Sequence, residues 1–201
     1  TYAIGLRAVN AAGSGTAAAI VSSIAADTPN APTALSATAG DAQVSVAFTP
    51  PSNNGGSAIT NYEYSTDGGT SWAAFSPTGT SSPVVITGLT NGTTYALGLR
   101  AINAAGSGTA SANVISTPLT IPNAPTGLSA TVGDTQVTVT FTPSSSNGGA
   151  TITNHEYTTD GGTSWTAFAP ADTASPVTIT GLVAGTAYSI GLRAVNSVGQ
   201  G

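Results

Sequence analysis

Apolar side chains recur at every second position in several short runs of this chain. Val44, Val46 and Phe48 alternate with Ser45 and Ala47, which predicts a strand with one buried face. From Ile59 to Ser65, Tyr62 and Tyr64 share one face and Asn61 and Glu63 the other. Trp72 to Phe75 reads as a short strand, and Val84 to Ile86 as another. Tyr95, Leu97, Leu99 and Ala101 alternate with Ala96, Gly98 and Arg100, and Asn113 to Ile115 closes the series. Between the runs stand turn formers: Gly40-Asp41, Pro50-Pro51, Asn54-Gly55-Gly56, Asp67-Gly68-Gly69, Asn91-Gly92 and Gly106-Ser107-Gly108. No stretch carries a capped 3.6-residue apolar period. About seven short strands in roughly 90 residues predict an all-β, two-sheet sandwich.

The pattern repeats. Tyr2-Ala3-Ile4-Gly5-Leu6-Arg7-Ala8-Val9-Asn10 returns, with small changes, at Tyr95–Asn103 and at Tyr188–Asn196, an offset of 93 residues each time. Residues 29–108 and 122–201 align without a gap and share 54 identities in 80 positions. A unit of 93 residues exceeds the repeats of solenoids and has the size of a small domain with its own core. The 201 residues are two periods plus 15, so both ends fall inside a repeat. Residues 1–28 read as the tail of one unit and 29–121 as a complete unit. Residues 122–201 read as a unit without the counterpart of Thr109–Ser116. The expectation is a window on a longer tandem array.

Composition then removes whole classes of chemistry. The chain has 3 Lys+Arg, 8 Asp+Glu, one His, no Cys and no Met, with a net charge of −5. Disulfides, thiolate metal sites and Cys nucleophiles are excluded. All three cations are arginines, so lysine Schiff bases and lysine crosslinks are excluded too. A nucleic-acid groove needs clustered cations, which this chain lacks. No apolar run is long enough to span a membrane.

The motifs Pro32-x-x-Leu35, Val44-x-Val46-x-Phe48, Ile59-x-x-Tyr62-x-Tyr64 and Gly88-Leu89 followed by Gly92-Thr93-x-Tyr95 occur in order, with Leu99–Asn103 and Gly106-Ser107-Gly108 after them. In this the chain resembles bacterial extracellular fibronectin type III domains over essentially its whole length. The resemblance implies tandem immunoglobulin-like two-sheet sandwiches, with strands A, B and E in one sheet and C, C′, F and G in the other. Residues 1–28 would then hold strands F and G of a preceding repeat, 29–121 a complete domain, and 122–201 a domain lacking its last strand. Tyr95 and Tyr188 would be tyrosine-corner residues, each hydroxyl bonding backbone a few residues upstream. Phe48 and Phe141 stand where the family often has Trp. The loop from Asn103 to Gly108 carries no Arg-Gly-Asp, so integrin binding finds no support.

Few residues are candidates for chemistry. His155 aligns with Tyr62 and is expected on a core-facing strand, since one His without Cys forms no metal cluster. Ser65–Trp72 and Thr158–Trp165 resemble the Asp-box hairpin. Asp67 and Asp160 are expected to bind turn N–H groups while Trp72 and Trp165 pack the hairpin base. Calcium at the Asp, which would need six or more oxygen ligands, and sugar stacking on the Trp are the alternatives. Arg7, Arg100 and Arg193 occupy one position in three repeats. Arg100 is expected to pair with Glu63, and Arg193 with Glu156. Asp41 and Asp134 lie a full repeat apart and form no catalytic dyad. The Asn91-Gly92-Thr93 sequon reads as a turn.

No nucleophile–base pair or cofactor motif is present, so the chain is expected to be neither an enzyme nor a cofactor binder. Thr28–Pro32 and Ile121–Pro125 read as short, extended linkers. The expected role is a structural spacer or fibre-forming repeat of a bacterial cell-surface or secreted protein. Neighbouring copies would be the partners, by strand exchange or filament packing. The alternative is an adhesive or carbohydrate-binding module recognising surface glycans or accompanying a secreted polysaccharide hydrolase.

Overall fold

A computed structural model of the chain describes residues 2–23 and 25–201. It is all strand and turn. The N-terminal segment holds β1 (Tyr2–Ile4), β2 (Val9–Asn10), β3 (Gly13–Ser14) and β4 (Val21–Ser23). Here β1 pairs antiparallel with β4, and β2 with β3. Tyr2, Leu6 and Val9 are exposed.

The next eight strands form one sandwich: β5 (Thr33–Gly40), β6 (Gln43–Thr49), β7 (Asn61–Ser65), β8 (Ala73–Ala74), β9 (Val84–Thr87), β10 (Tyr95–Asn103), β11 (Gly106–Ser107) and β12 (Val114–Ser116). One sheet has the order β5-β6-β9 and the other β11-β10-β7-β8, with β12 also on β10. These are the A-B-E and G-F-C-C′ sheets that the family resemblance implies. The alternation in β6 buries Val44, Val46 and Phe48, and Tyr62, Ile86, Leu97 and Leu99 are buried as well. Phe48 and Tyr62 stack edge to face at 4.7 Å.

A second sandwich follows: β13 (Thr126–Gly133), β14 (Gln136–Thr142), β15 (Asn154–Thr158), β16 (Thr166–Ala167), β17 (Val177–Thr180) and β18 (Gly191–Val195). Its sheets are β13-β14-β17 and β16-β15-β18. Its core is Val137, Val139, Phe141, Val177, Ile179 and Leu192, with Tyr157, Phe168, Leu182 and Ile190 packed against it. Every one of these residues belongs to 122–201. Backbone proximity divides the chain into two compact units, one of 1–37, 46–84 and 95–115 and the other of 38–45, 85–94 and 116–201.

The two sandwiches differ at the F strand and its neighbours. β10 runs nine residues and β18 five. In the first sandwich β12 pairs with β10. In the second sandwich Ser189 makes an isolated bridge with Asp160 ahead of β18. Leu97 is 1% exposed while its counterpart Ile190 is half-buried. Leu128 and Val183 stand exposed in the same sandwich.

The proline segments are more than linkers. Pro29, Pro32, Pro118, Pro122 and Pro125 are all buried. Their rings fill space against the sandwiches as well as stiffening the backbone.

Candidate functional site

The polar side chains singled out by the repeat gather on the outer face of the C′-C-F-G sheet. The C–C′ turn is built around Asp67. Its Oδ1 accepts the Thr70 and Ser71 amides, each at 3.0 Å, and the Ser65 hydroxyl at 2.7 Å. Its Oδ2 accepts the Ser71 hydroxyl at 2.5 Å. Gly68 and Gly69 adopt φ of 78° and 99°, the left-handed region that turns the chain back within this loop. Asp160 repeats the arrangement with Thr158, Thr163 and Ser164. The Ser71 hydroxyl and amide and the Ser65 hydroxyl hold the Asp67 carboxyl far below the usual carboxylate range. The Ser164 and Thr158 hydroxyls and the Ser164 amide do the same for Asp160. Both oxygens of each carboxylate are taken up inside the turn.

The Trp of this turn bonds within the hairpin and also lies against strand β10. Trp72 Nε1 donates to the Gly69 carbonyl at 3.1 Å, and the ring reaches strand β10. A Cβ built on Gly98 would lie 2.7 Å from the Asn113 Oδ1 and 3.4 Å from the Trp72 ring, so the close approach at this glycine is to Asn113, with the indole in ordinary contact. The Arg100 guanidinium carbon sits 4.5 Å from the ring centroid. Trp165 and Arg193 repeat the stack at the same 4.5 Å. A cation on an aromatic face is attracted by the ring quadrupole.

Arg100 and Glu63 are Cα partners in the β7–β10 ladder. Arg100 Nε donates to Glu63 Oε2 at 2.5 Å, and the Ser107 hydroxyl donates to the same oxygen at 2.7 Å. Burial pushes the Glu63 carboxyl up, but the hydrogen bonds from Arg100 and Ser107 and the Arg100 charge outweigh it and hold the group below its ordinary value. Glu156 pairs with Arg193 in the β15–β18 ladder, with Nη2 at 2.5 Å from Oε2. Gln200 replaces Ser107 there. Arg7, the third arginine, lies exposed in the N-terminal hairpin.

The tyrosine hydroxyl of the second sandwich accepts backbone: the Val183 amide donates to Tyr188 Oη at 3.0 Å. Tyr95 holds the equivalent, half-buried position at the start of β10. His155 is buried at the Tyr62 position, edge-on to Phe141 at 4.9 Å. Its Nδ1 lies 3.0 Å from the Asp172 carbonyl, which can only accept, so Nδ1 carries the proton. Its Nε2 is buried without a partner. The Asn91 side chain is tied to the A–B turn, accepting the Ala42 amide and donating to Asp41. Among the described residues no three His, Asp or Glu side chains gather in a metal-binding group.

Several residues with full internal bonding were not foreseen from the sequence. Asn61 and Asn154 each bind the backbone of the C′ region, at Phe75 and Phe168. Asn103 and Asn196 bind the proline segments. Their signal was present in the repeat, because asparagine occupies positions 10, 103 and 196.

The Fibronectin type III domain family model matches residues 30–117 and again 123–201. The chain belongs to the fibronectin type III family. A curated relative, Chitinase A1 of Niallia circulans, is 35% identical over 136 residues, which cover 63% of this chain. That match spans only 18% of the relative's length. Among solved structures, the chicken CNTN1 FN1-FN3 domains align over 98% of this chain and 73% of theirs, at 16% identity and a TM-score of 0.43.

Proposed function

We propose that this fibronectin type III pair is a non-catalytic spacer segment of a bacterial secreted or surface-attached protein. One observation carries the reading: the carboxylates and arginines on the C′-C-F face are spent on internal bonds, in the same way in both sandwiches. Asp67 and Asp160 close turns, Glu63 and Glu156 hold arginines, and those arginines cover tryptophans. The similarity to Chitinase A1 supports a place beside the catalytic domain of a secreted enzyme. The partners that fit are further copies of the same repeat before and after it.

The test is a swap. The segment would be placed between a polysaccharide hydrolase domain and a substrate-anchoring domain, then replaced by a Gly/Ser linker of equal reach. The spacer reading expects lower turnover of insoluble polymer with the flexible linker and unchanged turnover of small soluble substrates. Equal activity on both substrates would remove it.

A second reading, recognition of glycans, rests on the half-buried indoles of Trp72 and Trp165, which repeat on the same sheet face. It expects the 201-residue chain to be retained on polysaccharide and Trp72→Ala with Trp165→Ala to abolish retention while the β-sheet spectrum persists. No retention of the parent chain would dismiss it.

A further inference from the structure

The segments that join the repeats run through a keyed channel. Asn103 lies at the end of β10 and is buried. Its Nδ2 donates to the Asp27 carbonyl at 2.7 Å and the Asn54 carbonyl at 2.8 Å. Its Oδ1 accepts the Ala105 amide at 2.9 Å and the Gly106 amide at 3.2 Å. All four hydrogen-bonding positions of the amide are filled. Asn196 repeats the set, donating to Thr120 and Asn147 and accepting from Val198 and Gly199. Each asparagine thus ties a loop of its sandwich to the chain entering that sandwich.

Backbone bonds complete the hold. Asp27 donates to Gly55 at 2.8 Å, Asn30 to Asn53 at 3.0 Å, and Thr109 donates to Pro29 at 3.0 Å. In the second set Thr120 donates to Gly148 at 2.8 Å and Asn123 to Ser146 at 2.9 Å. Glycines wall the passage. A Cβ on Gly55 would lie 1.9 Å from the Asp27 oxygen, and one on Gly148 2.0 Å from the Thr120 oxygen. One on Gly108 would lie 2.2 Å from the Pro29 oxygen. Only a residue without a side chain lets the two backbones approach this closely.

We propose that residues 27–30 and 120–123 are not linkers but a structural strap belonging to the sandwich that follows, locked by Asn103 and Asn196. The preceding strand system holds its own end of the connection. Gly92 donates to the Pro118 carbonyl at 2.8 Å, and the Thr94 and Thr117 hydroxyls lie 2.8 Å apart. Between Pro118 and Thr120 stands only Leu119. The folding unit therefore begins ahead of the family match at residue 123. The strap stands on its own bonds and does not depend on whether the segment acts as a spacer or recognises glycans.

Amide hydrogen exchange on the whole chain tests it. In the parent protein the Thr120 and Asn123 amides are expected to exchange at least tenfold more slowly than free peptide. Asn196→Asp keeps the acceptor and loses both N–H donors. It is expected to abolish most of that protection and expose the segment to proteolysis, while Val139 and Ile179 in the core stay protected. Free-peptide exchange at Thr120 and Asn123 in the parent, or unchanged protection in Asn196→Asp, overturns the strap. If Asn196→Asp unfolds the whole sandwich, Gly148→Ala decides. Its Cβ pushes on the Thr120 carbonyl, and loss of protection at 120 and 123 with an intact core upholds the strap. Retained protection there overturns it.

Discussion

The Arg100 guanidinium carbon sits 4.5 Å above the Trp72 ring while its Nε donates to Glu63 at 2.5 Å. One side chain thus joins two strands and a turn, since Glu63 lies on β7, Arg100 on β10 and Trp72 in the turn just before β8. The repeat of this triad at Trp165, Arg193 and Glu156 shows that it belongs to the fold of the unit and not to one loop. Arg supplies a planar ion that stacks and pairs at once, which Lys does not.

That triad is open to a double-mutant cycle. Arg100→Ala and Glu63→Gln, singly and together, are expected to show a coupling of ~0–1 kcal/mol, the range for partly exposed pairs. Arg100→Lys keeps the charge and loses the planar stack, so it should recover only part of the loss. Chemical denaturation of the four variants measures the coupling. Full recovery by Lys would show that charge alone matters.

The C–C′ turns carry the acid sensitivity. Asp67 and Asp160 are held far below the ordinary aspartate value of 3.8 by hydrogen bonds to the charged form. A carboxyl depressed in the folded state leaves the unfolded chain holding more protons across that interval, so stability rises with pH there. The contribution is complete above the ordinary value and is lost as pH falls below it. The carboxyl carbon shifts of Asp67 and Asp160 should therefore stay flat down through pH 3. Asp67→Asn should lower the melting temperature at neutral pH and flatten its fall in acid. A titration midpoint near the ordinary value would contradict the turn geometry.

Core autonomy can be read from a single truncation. Leu99 is 1% exposed in the first sandwich. Leu99→Ala is expected to cost about 2–5 kcal/mol there, through lost burial and the cavity left behind. Exchange protection of Val139, Val177 and Ile179 should remain unchanged. Equal loss in both sets would mean that the two interiors melt as one.

His155 marks the place where the second copy departs from the first. Its Nε2 is buried without a partner. An orphaned buried polar atom costs roughly 1–3 kcal/mol. His155→Tyr restores the side chain of the first sandwich and should raise the melting temperature of the second. A lower melting temperature would show that the Nδ1 bond to Asp172 outweighs the orphaned nitrogen.

Much of this architecture was legible residue by residue. Two-residue alternation in Val44–Phe48 and Tyr95–Ala101 is a local property of strands, so it marked buried faces without knowledge of partners. The spacing of Arg7, Arg100 and Arg193 and the Ser65–Trp72 motif exposed the period for the same reason. The Glu63–Arg100 pairing followed once strands C and F were taken as neighbours, because side chains opposite each other in a ladder share a face.

What depends on distant segments meeting in space was decided by the tertiary structure. Asn103 reads as one more polar residue at a strand end until Asp27 and Asn54, 76 and 49 positions away, bring their carbonyls to it. Trp72, 28 positions before Arg100 in the chain, meets it only where the C–C′ turn folds back over strand F. Ile190 has the sequence of a core strand residue, yet it stays half-buried while its counterpart Leu97 is buried. Periodicity along the chain fixes which face a side chain takes, whereas closure of a hydrogen bond or a core requires the second surface, and only the folded molecule brings that surface into place.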